Sequence, residues 1–471
     1  MPSNVTFVNF AVPPRPLHAI AAHLISQGGH PWLFERLAAP SLLVERPALT
    51  IRFEAGEVRL QPHTPAGHAL LASLPDAQLV RTGRRAYPRP FGHDLEARLL
   101  APGPFDVLRL LVGPGRAPLA LGILAFDHVQ LFEDLPPPPP DLTGFPEAHF
   151  LIPDRWFTRS PEDMLEAHAL GGPADAEELA ALAVAAPDLP PAPTAAPADA
   201  TTDLSDTDFC RLVETCQAHV AAGDVFQIVP SRSFAVPCPD PFHAYRRLYA
   251  ADPAPYRFYA PGPGWTLFGA SPESAVRVSV DREVEIRPIA GTRPRGRDPA
   301  EDAVFAAQLL ADEKELAEHR MLVDLARNDV ARVSVPGTRR VHDGMNIQRA
   351  ARVMHIVSTV TGDLKPELDA LHALQACLNA GTLSGAPKLR ATELLRQLEI
   401  SRRGPYGGAI GVFGADGSLD TAIVIRSALV VDAMATARAG AGVVYDSVPQ
   451  AEADETRRKA SAVLSALGVA M

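Results

Sequence analysis

The sequence predicts an α+β fold, a sandwich of antiparallel β-hairpins with helices outside. Short apolar-alternating runs arrive in groups divided only by glycine and proline, as hairpins require. Long amphipathic runs stand between those groups instead of alternating with single strands, which argues against a βαβ series. The 471 residues, 47% hydrophobic and 21% charged, supply a large core and leave out a small disulfide-stapled scaffold.

The elements follow in order. The opening MPSNVTFVNFAVPPRPLHAIAAHL has no basic start, and Pro13, Pro14 and Pro16 interrupt its apolar run. It resembles neither a signal peptide nor a membrane span. LLVERPALTIRF and GEVRLQPH alternate as strands, PFDVLRLLVG reads as a helix and LALGILAF as a buried strand. Proline, at 47 residues, is about twice its usual share. It concentrates at 136–140, a stiff polyproline connector, and in the Ala/Pro/Asp tract at 171–204. That tract has little bulky apolar content, so it reads as a linker or surface excursion between an N-terminal region, 1–170, and a larger unit, 205–471. From Ser205 the chain predicts a capped helix ending near Gly223 and a strand from about Val225. WTLFGASPE, AVRVSV and EVEIRPIAG follow as short strands, then one long helix from about Asp302 through LVDLARNDVARV. GGAIGVFG, SLDTAIVIRSALVV and ATARAGAGVVYD are strand-like, and AEADETRRKASAVLSAL closes as a helix.

Composition excludes several function classes. Forty-four Lys and Arg against 55 Asp and Glu give a net charge of −11, unsuited to a general polyanion binder. Cys210, Cys216, Cys238 and Cys377 form no C-x-x-C, so a reduced cytoplasmic protein without a thiolate metal site is expected. No G-x-G-x-x-G opens a helix after a strand and no P-loop is present, which leaves nucleotide cofactors without support.

Several residues are chemically conspicuous. Glu315 and Glu318, and Glu452 and Glu455, are carboxylate pairs three residues apart on helices. Each pair shares a helix face and suits either a hard divalent ion or a solvated surface. Gly440 with Gly442, Gly381 with Gly385, and Gly407, Gly408 and Gly411 allow close backbone approach to an anion, or simply make turns. Arg426 lies in the strand-like IVIRSALV, where a guanidinium calls for a carboxylate partner. Lys388, one of only 4 lysines, is a second anion contact or a surface residue at a helix start. His355, set among apolar residues, is either a core group or a proton shuttle. Glu273 in FGASPESAV is either a turn cap or a buried general acid.

Together these strings resemble the chorismate-binding enzymes, and within them the anthranilate synthase branch. GDVFQIVPSRSF, LFGASPES, RPIAGTRPRG, AEHRMLVDLARNDVAR, VMHIVS, ACLNAGTLSGAPK, RGPYGGAIG, DTAIVIRSA and AGAGVVYDSVPQAEADETRRKA occur in the family's order across 205–467. The resemblance implies two large antiparallel sheets packed as a sandwich with helices outside. It implies conversion of chorismate and ammonia through 2-amino-2-deoxyisochorismate to anthranilate and pyruvate. Glu315, Glu318, Glu452 and Glu455 would surround Mg²⁺. Tyr406, Arg426 and the backbone at Ala439, Gly440, Ala441 and Gly442 would bind substrate, with Gly291, Thr292 and Lys388 near it. Glu273 would protonate the departing C4 hydroxyl, His355 would take the C2 proton, and Gln227 and Thr382 would join the catalytic set.

Two positions select the branch. Isochorismate-forming relatives carry a lysine base where this chain has Gln227, which cannot take a proton. The folate-type relatives carry lysine in place of Ala290. No cysteine sits in a G-x-C-x-G elbow, so a separate glutamine amidotransferase subunit is the expected ammonia source. Tryptophan-regulated members carry LLES and SPYMFF strings lining an inhibitor site. The nearest text here is LLVERPAL at 42–49, with Leu43 and Glu45, which resembles the strand after the first string more than the string itself, and APYRFY at 254–259, with Pro255, Tyr256 and Arg257. Arg257 stands where methionine is usual, which predicts weakened or absent tryptophan feedback.

Overall fold

The computed structural model describes residues 8–87, 94–349 and 353–470. The first seven residues of the opening string, and Ala351 and Arg352 before VMHIVS, lie outside the described residues.

Two long strands, Ser41–Glu54 and Ala148–Arg159, pair along their length and hold the architecture together. Register shifts between Val44 and Leu49 bend the pair, so that each strand serves two layers. The Ser41 end leads through Trp32–Arg36 to Tyr256–Gly262, Trp265–Ser271, Ser427–Val431, Met434–Gly440 and Ser231–Pro237. The Ala148 end leads through Leu119–Leu124 to Ala409–Gly414, Leu419–Ile423, Ser274–Val278, Glu283–Ile286 and Val353–Asp363. The expected two antiparallel layers are present, as one hydrogen-bonded ribbon folded at those strands.

Side-chain alternation explains the layers. Trp32, Phe34, Phe258 and Leu267 of the first layer meet Ile123, Val276 and Ile410 of the second in one core. Their neighbours Leu33, Tyr259 and Phe268 point the other way, against Leu17, Tyr245, Leu248 and Val463 of helices Leu17–Ser26, Pro241–Ala251 and Pro449–Ala466. A fully buried side chain such as Phe258 contributes about 1.5–3 kcal/mol by burial alone.

Three local expectations need correction. The predicted long helix is two, Pro299–Ala311 and Glu313–Val333. Asp312 divides them by leaving helical geometry, and its carboxylate accepts the Lys314 and Glu315 N–H groups at 3.1 and 3.3 Å. SLDTAIVIRSALVV is likewise two strands, broken where Arg426 takes φ 49°. The Ala/Pro tract carries a helix, Pro173–Ala185, whose Ala176, Leu179 and Ala183 are buried. Leu179, buried, and Leu182, half-buried, seat it with these alanines on the outer core.

Among the described residues no helix is long and apolar enough to cross a membrane. All four cysteines are free.

Candidate active site

Glu273 follows strand Trp265–Ser271 and is partly buried, and desolvation pushes its carboxyl up to about 7. Thr382, in the short helix Gly381–Ser384, donates its hydroxyl to Glu273 Oε1 at 3.2 Å. His355, on strand Val353–Asp363, reaches the Gly291 carbonyl and Thr292 Oγ1 through Nδ1, at 3.0 and 3.1 Å. The carbonyl can only accept, so Nδ1 carries the proton and Nε2 is left as the basic nitrogen. Burial and the charge of Arg426 lower His355, which keeps it neutral. Gly291 needs its left-handed φ of 67°, and a Cβ there would stand 2.9 Å from Leu309 and 3.1 Å from Glu315 Oε2. This turn therefore carries His355's anchor beside the first carboxylate pair.

Helices Glu313–Val333 and Pro449–Ala466 bring their acidic pairs toward one another. Glu318 is raised by burial, by Glu315 and by Glu455, and Glu452 by burial and Glu455. Gln227 Nε2 lies 3.5 Å from Glu318 Oε1, and its buried Oε1 has no partner. Lys459, which sequence reasoning passed over, binds Glu455 at 2.6 Å and the Gly440 carbonyl at 3.1 Å. Its position one turn after Glu455 was the available signal. As they stand, no three His, Cys, Asp or Glu side chains among the described residues are gathered closely enough to hold a metal. The donor chemistry fits a hard cation nonetheless: mutually repelling, partly buried carboxylates with an orphaned amide oxygen alongside.

Arg426 does not sit within a strand, as its sequence suggested, but in the break between two, and it has no carboxylate partner within 4 Å among the described residues. Its Nη1 donates to the Lys459 carbonyl at 2.8 Å, and burial lowers its pKa. Tyr406 is buried, and its hydroxyl lies 3.2 Å from where a Cβ on Gly440 would stand. Gly442 is crowded the same way by Gln227 Nε2, at 2.6 Å. Ala439 pairs with Arg232 across the sheet. The Ala441 N–H is already taken by the Pro230 carbonyl at 3.1 Å, so it is not free to bind an anion.

Cavity volume does not locate this site. A cavity of about 480 Å³ lined by Phe53, Tyr87, Leu135 and Arg402 contains none of the predicted side chains. One of about 40 Å³ touches Glu273, Thr382 and Gly381.

A model of chorismate binding enzymes matches residues 95–465. The chain belongs to that family. It is 45% identical over 469 residues to a pyocyanine-specific anthranilate synthase component 1 of Pseudomonas aeruginosa, covering 92% of this chain and 88% of that protein. With anthranilate synthase component 1 of Escherichia coli it shares 43% identity, covering 91% and 89%. The crystal structure of anthranilate synthase component I from Streptococcus pneumoniae superposes with TM-score 0.72 at 32% identity, over 90% of this chain and 92% of that one. A menaquinone-specific isochorismate synthase of Escherichia coli shares the fold, with TM-score 0.70 at 20% identity over 98% and 94%.

Two expectations for this chorismate-binding chain change on the structure. Lys388 is not an anion contact: its ammonium is paired with buried Asp329 and donates to the Cys377 carbonyl at 2.6 Å, joining two helices. The strand beside Tyr256–Gly262 is Trp32–Arg36, not the strand of Leu43 and Glu45. Leu43 is instead buried in the outer core, and Glu45 pairs with Arg155 at 2.8 Å. Tyr256 donates its hydroxyl to Asp420 at 3.0 Å, and the Pro255 carbonyl accepts from Leu37 N–H at 2.9 Å. Arg257 lies opposite Glu35 in register, stacked 4.2 Å above the Tyr249 ring. The segment beside APYRFY in the sheet is thus WLFER, and LLVERPAL lies one strand further out.

Proposed function

We propose that the chain is the chorismate-converting subunit of an anthranilate synthase, making anthranilate and pyruvate from chorismate and ammonia through 2-amino-2-deoxyisochorismate. One observation carries the reading. Glu273 and His355 are pushed in opposite directions, the carboxyl up to about 7 and the imidazole down, so an acid and a neutral base coexist near neutral pH.

In this reading, Glu273 gives its proton to the C4 hydroxyl, which leaves as water while ammonia adds at C2. The Thr382 hydroxyl orients the carboxyl. Ammonia brings its own lone pair, so Gln227 has no proton to remove and serves as a polar neighbour. His355 Nε2 then takes the C2 proton as pyruvate departs, with Gly291 and Thr292 holding the ring. Arg426 and Tyr406, with the backbone at Gly440 and Gly442, bind the enolpyruvyl carboxylate. Glu315, Glu318, Glu452 and Glu455 would hold Mg²⁺, which when bound neutralises charge and fixes the ring carboxylate.

A separate glutaminase subunit would supply ammonia, in the cytoplasm, where free cysteines persist. The division at 171–204 is proposed as the boundary of the chorismate-binding unit. The test is anthranilate formation by the purified chain with chorismate, Mg²⁺ and an ammonium salt. Anthranilate and pyruvate in equal amounts support the reading, and aminodeoxychorismate as sole product would contradict the branch assignment drawn from Ala290.

A further inference from the structure

Four of the segments assigned above to the site meet behind it on one buried ion pair. Glu399 and Arg403, one helical turn apart in sequence, have side chains only 3% and 2% exposed. Their contact is a two-pronged fork, Nε to Oε2 at 2.8 Å and Nη2 to Oε1 at 2.7 Å. The remaining donors of Arg403 go to backbone. Nη1 donates to the Leu383 carbonyl at 2.5 Å, next to Thr382, and Nη2 to the Val229 carbonyl at 2.6 Å, two residues beyond Gln227. The guanidinium also stacks on Phe126 at 4.4 Å and lies 5.8 Å from the Tyr406 ring. Glu399 in turn accepts from Ser231 N–H and Oγ at 2.9 and 2.6 Å, and Ser231 pairs with Gly440 across the sheet. Arg438 adds a second guanidinium, 3.4 Å from Glu399 Oε2.

A buried ion pair is weak as a source of net stability, because desolvation cancels much of its attraction. Its geometry here does something apolar packing would not: one planar cation reaches three chain segments at fixed angles. We propose that Arg403, held by Glu399, is a positioning residue that sets the mutual placement of Gln227, Thr382, Tyr406 and Gly440. This rests on the anthranilate synthase reading of the site. Arg403 touches no substrate. Its effect runs through Thr382 onto Glu273 and through Tyr406 and Gly440 onto the bound carboxylate. The two guanidiniums against one carboxylate also leave one net positive charge behind the place where that carboxylate would bind.

The experiment compares wild type, Arg403→Lys and Arg403→Gln at saturating ammonia and Mg²⁺. It measures thermal midpoint, KM for chorismate, kcat, and the fraction of 2-amino-2-deoxyisochorismate released unconverted. Arg403→Lys keeps the charge and loses the fork. It is expected to fold, to raise KM about tenfold or more, and to leak intermediate, since small misplacements cost up to about a hundredfold. A merely structural role lowers the amount of active protein and leaves KM and the leaked fraction unchanged. That outcome, or Arg403→Lys behaving as wild type, overturns the proposal. If Arg403→Gln does not fold, the lysine variant decides. Absence of anthranilate from wild type would instead count against the reaction assignment.

Discussion

Glu273 is the residue on which burial has the clearest chemical consequence. Its folded pKa of about 7 exceeds the unfolded value of 4.5, so the native state binds the extra proton between those pH values. Stability from this group is full below pH 4.5 and is lost as pH rises through about 7, an effect on the order of 3 kcal/mol. Glu273→Gln removes that loss, so its thermal midpoint relative to wild type rises from pH 4 to pH 8. The same variant loses the proton donor and is expected to lower kcat by about 10²–10⁴-fold, measured by anthranilate fluorescence. In wild type, kcat/KM for chorismate at constant free ammonia falls above about pH 7 as Glu273 ionises. Arg426→Gln removes the guanidinium proposed to bind the enolpyruvyl carboxylate, and KM for chorismate is expected to rise about tenfold to a hundredfold. Glu273 and His355 stood out in sequence because an acid and an imidazole among apolar residues are chemically conspicuous. Lys459, Glu399 and Arg403 did not, because their importance lies in contacts with strands and helices distant along the chain.

At the scale of elements, the helix carrying Glu315 and Glu318 depends on the residue just before it. Asp312 caps it and also pairs with Arg293 at 2.8 Å, while Arg293 reaches Glu315 at 3.2 Å. Asp312→Ala should cost about 1 kcal/mol and lower the thermal midpoint by about 1–2 °C. Differential scanning calorimetry checks this, and an unchanged midpoint would mean the cap is not limiting. The 3.6-residue pattern of this region was legible, but its break was not. Asp312 lies in LLADEKEL, where nothing but its own cap geometry separates one amphipathic run from the next. The break at Arg426 was hidden for the same reason, since apolar residues flank it on both sides in a run that reads as continuous β.

For the whole molecule, hairpin grouping was enough to foresee a sandwich, because alternation and turn residues are local signals. The continuity of the layers was not foreseeable. It depends on register shifts in Ser41–Glu54 and on pairings more than 100 residues apart, such as Leu43 with Phe157. The regulatory expectation is argued at this scale too. Arg257 is pinned between the Asp252 carbonyl, at 3.3 Å, and the Tyr249 ring, opposite Glu35. It fills space beside the sheet with a charge that an indole cannot replace without desolvating it. Tryptophan at millimolar concentration is therefore expected to leave turnover within about twofold and to give no saturable heat in calorimetry; tight binding with matching inhibition would contradict this. The central claim, that the Glu273 and His355 site converts chorismate and ammonia to anthranilate, is tested most directly by supplying the purified chain with chorismate, Mg²⁺ and ammonia. Equal amounts of anthranilate and pyruvate, abolished in Glu273→Gln, are the predicted result. Undiminished turnover in that variant, or no anthranilate from wild type, would contradict it.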